Sequence, residues 1–201
     1  MIAVITGDIV ESEDNPPKDW LDILKQGLNL YGKTPNDWEI YRGDEFQLKI
    51  KNPKNAMRIA LSLKAKMKSE TSTDVRMALG IGKEEHKSNK ISESNGEAYV
   101  FSGRKLDDLK KEKNSMQLKS NFLWEKEMNL LLKFAMTIAD KWTQASAEVM
   151  FECLKHPEKT QTELAEKLGI QQNTLSERRK RANVDLFEDL IHLYEEKIQR
   201  K

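Results

Sequence analysis

Tyr41-Arg42-Gly43-Asp44-Glu45-Phe46 reads as a tight turn between two strands, with acids at its tip. Trp38 and Ile40 before it, and Phe46, Leu48 and Ile50 after it, place apolar side chains at every second position. That alternation around a Gly-Asp pair is the pattern of a β-hairpin. Its carboxylates make the tip a candidate for holding a divalent cation.

Working outward, Met1 to Thr6 is a short apolar run that ends in Gly7-Asp8, as a buried strand ending in an acid would. Trp20, Leu21, Leu24, Leu28 and Tyr31 recur every three or four residues and predict an amphipathic helix, with Pro17 near its start and Gly32 at its end. After the hairpin, Asn52-Pro53 opens a second helix with a stripe of Ala56, Ile59, Ala60, Leu63 and Met67. Val75 to Ile81 predicts a strand, 83–95 a polar loop, Gly96 to Lys111 a third helix and Ser115 to Lys119 a last strand. The order is that of a split βαβ unit. The expected fold class is α+β: a ferredoxin-like, cyclase-like palm, with an antiparallel sheet and helices on one face, over residues 1–120. From 121 to 201 the periodicity is helical throughout. Met128, Leu131, Leu132, Ala135, Ile138 and Trp142 form the first stripe. No flexible linker marks the boundary, so a helix is expected to join the two parts.

In a split βαβ sheet the first strand and the hairpin are neighbours, so Asp8 and Asp44 converge at one sheet end. Two carboxylates suit Mg²⁺ or Mn²⁺, which keep water or phosphate oxygens as their other ligands, and paired metals organise phosphoryl transfer. The blander alternative is that Asp44 favours the turn and Asp8 caps the next segment.

Thr6-Gly7-Asp8-Ile9-Val10-x-Ser12, Arg42-Gly43-Asp44-Glu45-Phe46, Arg76 to Gly82, and Gly96-Glu97-Ala98-Tyr99 leading to Ser102-Gly103-Arg104-Lys105-Leu106 resemble, in that order, the class III nucleotidyl cyclase homology domain. The hairpin is also similar to the turn of diguanylate cyclases, with Arg42 in place of a glycine. The resemblance implies that Asp8 and Asp44 bind metal and that Arg104 meets the nucleotide. Val100 stands where such cyclases usually carry an Asn. Glu45 is a candidate third acid, with the alternative that strand alternation starting there points it away from Asp44. Over nearly its whole length the chain resembles the SatD-like family of small bacterial proteins. The shared features are the Gly-Asp-Ile strand end, the Arg-Gly-Asp-x-Phe-Gln hairpin and the Ile91 to Ala98 segment. Within that segment Ser92 and Glu93 are candidates for lining a ligand pocket, against the alternative of a plain polar loop.

Thr160-Gln161-Thr162-Glu163 is a capping box. Leu164, Ala165 and Leu168 follow, then Gly169, Ile170 and a second helix anchored by Leu175. This layout predicts a helix-turn-helix. Gln172, Asn173 and Ser176 would face base edges, and Arg178, Arg179 and Arg181 phosphates. Phe187, Leu190, Ile191, Tyr194 and Ile198 stripe the last helix, which either closes this core or forms a dimer contact.

Composition sets the outer limits. The chain has 201 residues, 38% hydrophobic and 33% charged, with a net charge of +1. Any nucleic-acid-binding charge is therefore local. No run is long enough to cross a bilayer, no signal peptide is expected, and a lone Cys153 fits a cytoplasmic protein. The Lys- and Arg-only tract from Lys49 to Lys68 is expected to be a solvated face. The leading expectation is a cytoplasmic, homodimeric, DNA-binding transcriptional regulator whose cyclase-like domain binds a nucleotide or metal. The alternatives are a metal-dependent enzyme on nucleoside triphosphates and a catalytically dead dimerisation platform.

Overall fold

The computed structural model describes residues 1–14, 16–41, 43–112 and 114–200; Arg42, at the hairpin tip, lies outside them. Strands β1 (Ile2–Ile9), β2 (Trp38–Tyr41), β3 (Glu45–Ile50), β4 (Val75–Gly82) and β5 (Met116–Lys119) form one sheet in the order β2-β3-β1-β4-β5. All neighbours are antiparallel except β4 and β5, which run parallel. The fold is α+β, with eight α-helices among the described residues around this mixed sheet.

Strand alternation sorts the two faces. Ala3, Ile5 and Ile9 of β1 share one core with Phe46, Leu48, Met77 and Leu79. Helices α1 (Leu21–Asn29) and α2 (Ala56–Glu70) cover that face with Leu24, Leu28, Ala60 and Leu63. On the other face Ile2 and Val4 meet Ile91, Ala98 and Tyr99, while Ala78 meets Leu106 and Leu109. There α3 (Glu97–Lys111) lies across β4, β1 and β5.

Two expectations are corrected here: the sheet is mixed, and helices cover both faces. A parallel partner for β4 needs a crossover, and the crossover helix must dock on a sheet face. Gly80 permits that docking, because a Cβ there would meet the Ala98 carbonyl oxygen at 2.0 Å. The outer edge of β5 is closed by one side chain. Asn129 Oδ1 accepts from the Leu118 N–H at 2.8 Å, and its Nδ2 donates to the Leu118 carbonyl at 2.8 Å.

Helices α4 (Glu125–Ala139), α5 (Gln144–Lys155), α6 (Gln161–Leu168), α7 (Gln172–Ala182) and α8 (Val184–Gln199) follow. The buried stripe of α4 is Met128, Leu132, Ala135, Met136 and Ala139, whereas Leu131 is 38% exposed. The expected stripe is thus turned by part of a residue's arc. The apolar residues of α5 pack on α2. All five stripe residues of α8 are buried, and the Tyr194 hydroxyl donates to the Pro53 carbonyl at 2.8 Å.

The tract from Lys49 to Lys68 is not a solvated face. Lys64 is fully buried; its ammonium lies 2.8 Å from both Asp74 and Asp140 and donates to Ser115 at 3.3 Å. Lys49 pairs with Glu84 and Lys66 with Glu70, while Arg58 lies 3.7 Å from Glu195. Lysine stems are apolar enough to pack when their ammonium groups find carboxylates.

Candidate functional site

The end of the sheet that carries the C-terminus of β1 and the N-terminus of β3 is polar on the α3 face. The alternation that buries Ile2 and Val4 puts Thr6 and Asp8 on this side. Gly7 pairs with Phe46, so the next step sets Asp8 beside Glu45. Asp8 pairs across the other edge with Arg76. Gln47 donates to Thr6 Oγ1 at 3.4 Å, and Thr6 donates to Ser102 of α3 at 2.8 Å.

Asp8 is 5% exposed. Arg76 donates to its Oδ2 at 3.0 Å, and the Lys110 ammonium, from the last turn of α3, lies 3.8 Å from the same oxygen. Lys110 also pairs with Glu45 at 2.6 Å. Glu45 therefore joins Asp8, because it shares the parity of Gln47 and faces α3. Burial raises the Asp8 carboxyl above its ordinary range. Arg76 and Lys110 pull it down, and the charges of Asp44 and Glu45 push it up again. Burial works against the Lys110 ammonium, but the Glu45 hydrogen bond and the acids around it leave its pKa raised.

Asp44 is fixed from behind. The chain leaves β1 through Glu11, which adopts the left-handed conformation at φ 55°, an uncommon state for a residue with a Cβ. That turn brings the Ser12 hydroxyl to donate to Asp44 Oδ2 at 2.6 Å. The spacing Gly7-Asp8-x-x-x-Ser12 thus has a geometric meaning: strand end, reversal, and a clamp on the hairpin acid.

Asp8 Oδ1 is buried and has no hydrogen-bond partner. A buried carboxylate oxygen without a partner is costly and invites a donor or a cation. The residues present fit a hard cation held by Asp8 and Asp44, with its other positions left to water or phosphate. Among the described residues no group of three or more His, Cys, Asp or Glu could hold a metal.

The other expected ligand contacts lie elsewhere. Arg104 is exposed on α3, away from the buried face of Ser102, Leu106 and Leu109. Ser92 and Glu93 sit in a 3-10 turn (Ile91–Glu93). There the Ser92 N–H donates to Glu39 at 3.0 Å and the Ser88 hydroxyl donates to Glu93 at 2.7 Å. Ile91 packs against Ile2 and Val4, so this turn is near the opposite end of β1 from Asp8, roughly 13 Å or more along the strand. Sequence reasoning missed Arg76 and Lys110. The register would have given Arg76; Lys110 needs the path of α3.

In the C-terminal part the Thr160–Glu163 capping box is present, and Gly169 turns the chain at φ 64° between α6 and α7. Leu164, Ala165 and Leu175 are buried, while Gln172 and Asn173 are exposed at the start of α7 and Ser176 is half-buried. The basic run is largely engaged within the chain. Arg178 pairs with Glu148 at 3.1 Å. Arg179, 16% exposed, donates to Asp185 at 2.7 Å and to Cys153 Sγ at 3.0 Å. Lys180 pairs with Glu177 at 3.2 Å, and Arg181 is exposed.

Among the described residues no helix is long and apolar enough to cross a membrane. Comparison with known families matches residues 1–193 to the model of the SatD family. No curated protein and no solved structure matches the chain.

Proposed function

The chain belongs to the SatD family, and we propose that it is a homodimeric DNA-binding transcriptional regulator of the cytoplasm, with a ligand-responsive acidic cleft at the end of its sheet. The observation that carries the DNA half is the pair α6–α7. A capped first helix, a left-handed Gly169 and an exposed second-helix N-terminus support reading this pair as a helix-turn-helix. Gln172 and Asn173 would read base edges, with Ser176 beside them. Arg181 and Lys180 would take phosphates, joined by Arg178 once its surface pair with Glu148 is exchanged. Arg179 holds α7 to α5 and α8.

The strand order β2-β3-β1-β4, with α1 and α2 on one face, supports the ferredoxin-like, cyclase-like palm for residues 1–120, with residues 121–201 as the DNA reader. A mobility-shift assay on a genomic DNA pool tests this. Gln172→Ala or Asn173→Ala should weaken specific binding by about 1–3 kcal/mol. Arg181→Ala should weaken binding to all sequences alike and lower the salt slope by about one. A wild-type chain that shifts no DNA overturns the reading.

The orphaned Asp8 Oδ1 favours a second reading, a metal-dependent enzyme acting on nucleoside triphosphates. Asp8 and Asp44 would hold Mg²⁺ or Mn²⁺, which would neutralise phosphate charge. Lys110 would orient a phosphate, and Ser12 keeps Asp44 in place. Arg104, Ser92 and Glu93 would reach the nucleotide only if it extended well beyond the cleft. This reading expects Mn²⁺-dependent turnover that is lost in Asp8→Ala and Asp44→Ala. Absence of both turnover and thermal stabilisation by Mn²⁺ with nucleotide removes it.

A further inference from the structure

Helices α4 and α8 lie antiparallel. Glu127 pairs with Lys197 at 2.7 Å, Trp124 meets Tyr194, and Trp142, just past the end of α4, meets Phe187. Their inner stripes are buried. Between their outer surfaces runs an apolar groove of ≈ 270 Å³ whose lining includes Leu131, Phe134, Ile138, Leu186 and Leu193. Phe134 is 65% exposed, Leu130 56% and Leu186 54%. Scattered exposed leucines are ordinary on a monomer, but a contiguous set around one groove marks an interface.

The charges on its two flanks differ in sign. At 100° per residue, Lys126 and Lys133 fall on the flank of α4 turned away from α8. Asp189, which also lines the groove, and Glu196 fall on the outward side of α8. Lys126, Lys133 and Asp189 have no ion-pair partner among the described residues, and Glu196 pairs only with Arg200, one turn along its own helix. We propose that a second copy of this chain covers the groove, with the two-fold axis running along the helices, so that α4 and α8 of both copies form a four-helix bundle.

The charge pattern selects that axis. A two-fold axis across the helices would lay α4 on α4 and oppose lysine to lysine. An axis along them lays α4 of one copy on α8 of the other. It also preserves height along the bundle. Within one copy Leu131 and Leu193 line one end of the groove and Ile138 and Leu186 the other, with Glu127 and Lys197 paired beyond them. Lys133 therefore comes level, to within a turn, with Asp189 of the second copy, and Lys126 with Glu196. An isologous interface forms each contact twice. Phe134 lies at its centre, where large aromatic anchors dominate binding. This inference rests on the homodimer of the first reading above and assigns its interface; the mobility-shift test of α6–α7 reads DNA contacts and is decided separately.

Sedimentation equilibrium of the full chain tests it. The wild type should dimerise reversibly. Phe134→Glu should weaken the dimer by about 30-fold or more, with an unchanged circular dichroism spectrum because Phe134 is exposed in the monomer. Lys133→Glu and Asp189→Lys should each weaken it, and the double exchange should restore it, which a loss of folding would not do. A wild type that stays monomeric at every concentration overturns the proposal and leaves the groove to a different protein. A dimer indifferent to Phe134→Glu, or a charge exchange that fails to rescue, overturns it as well.

Discussion

Lys64 is the most buried of the charges that tie the two parts of the chain, and its replacement gives a graded measurement. Its side chain is fully buried. Its ammonium reaches Asp74 before β4, Asp140 at the end of α4 and Ser115 at the start of β5. Lys64→Ala removes three buried methylenes, a loss of about 2.4 kcal/mol at about 0.8 each. It also strips one partner from each aspartate. Those carboxylates are 20% and 43% exposed, and Asp74 keeps Lys68 at 3.2 Å, so rehydration limits that part to about 1–2 kcal/mol. The total is about 4 kcal/mol. Lys64→Met keeps the stem, removes the charge and its desolvation, and should cost only about 1–2 kcal/mol. Equilibrium unfolding in urea, followed by tryptophan fluorescence, measures both. If the methionine variant is as unstable as the alanine one, the charge and not the packed stem holds the joint, and the reasoning fails.

Burial raises the Asp8 carboxyl, so the folded state binds the proton more tightly than the unfolded state. Its contribution is therefore most favourable below the ordinary carboxylate range and declines as pH rises through the raised value. Asp8→Asn should flatten that slope and raise the melting temperature at neutral pH; melting curves from acid to neutral pH that keep the wild-type slope would contradict this. Gly80→Ala forces a Cβ onto the Ala98 carbonyl and should destabilise by about 1–3 kcal/mol or more, read as a drop in melting temperature. Burial pushes the Cys153 thiol up to about 11 despite Arg179 beside it. It should resist thiol reagents at neutral pH until the chain unfolds, which labelling with and without urea would show.

Much of the fold is legible in the sequence because its signals are local. The Trp38–Ile50 alternation, the Thr160–Glu163 box and the α8 stripe need no distant information. Asp8 and Asp44 emerge as a pair from strand order alone. What escapes is whatever depends on partners far along the chain. The basic residues from Lys49 to Lys68 look solvated because the acids that neutralise Lys49, Arg58 and Lys64 come from 74, 84, 140 and 195. The mixed sheet escapes because a four-residue strand, β5, carries no mark of its direction. The side of Glu45 stays open in the sequence because parity has to be counted from Asp8 through the register, and not from the turn.

The setting of α2 has one further consequence. Eleven of its fifteen residues are buried, with the sheet and α1 on one side and α5 on the other. It is a party wall, and neither tenant can leave without exposing the other's plaster. A fragment ending near residue 120 would show solvent the side of α2 that α5 now covers, and should aggregate. For the same reason, any tilt of α2 provoked at the sheet would be felt at α5, and through Arg179 and Cys153 at α7, with no hinge needed between them.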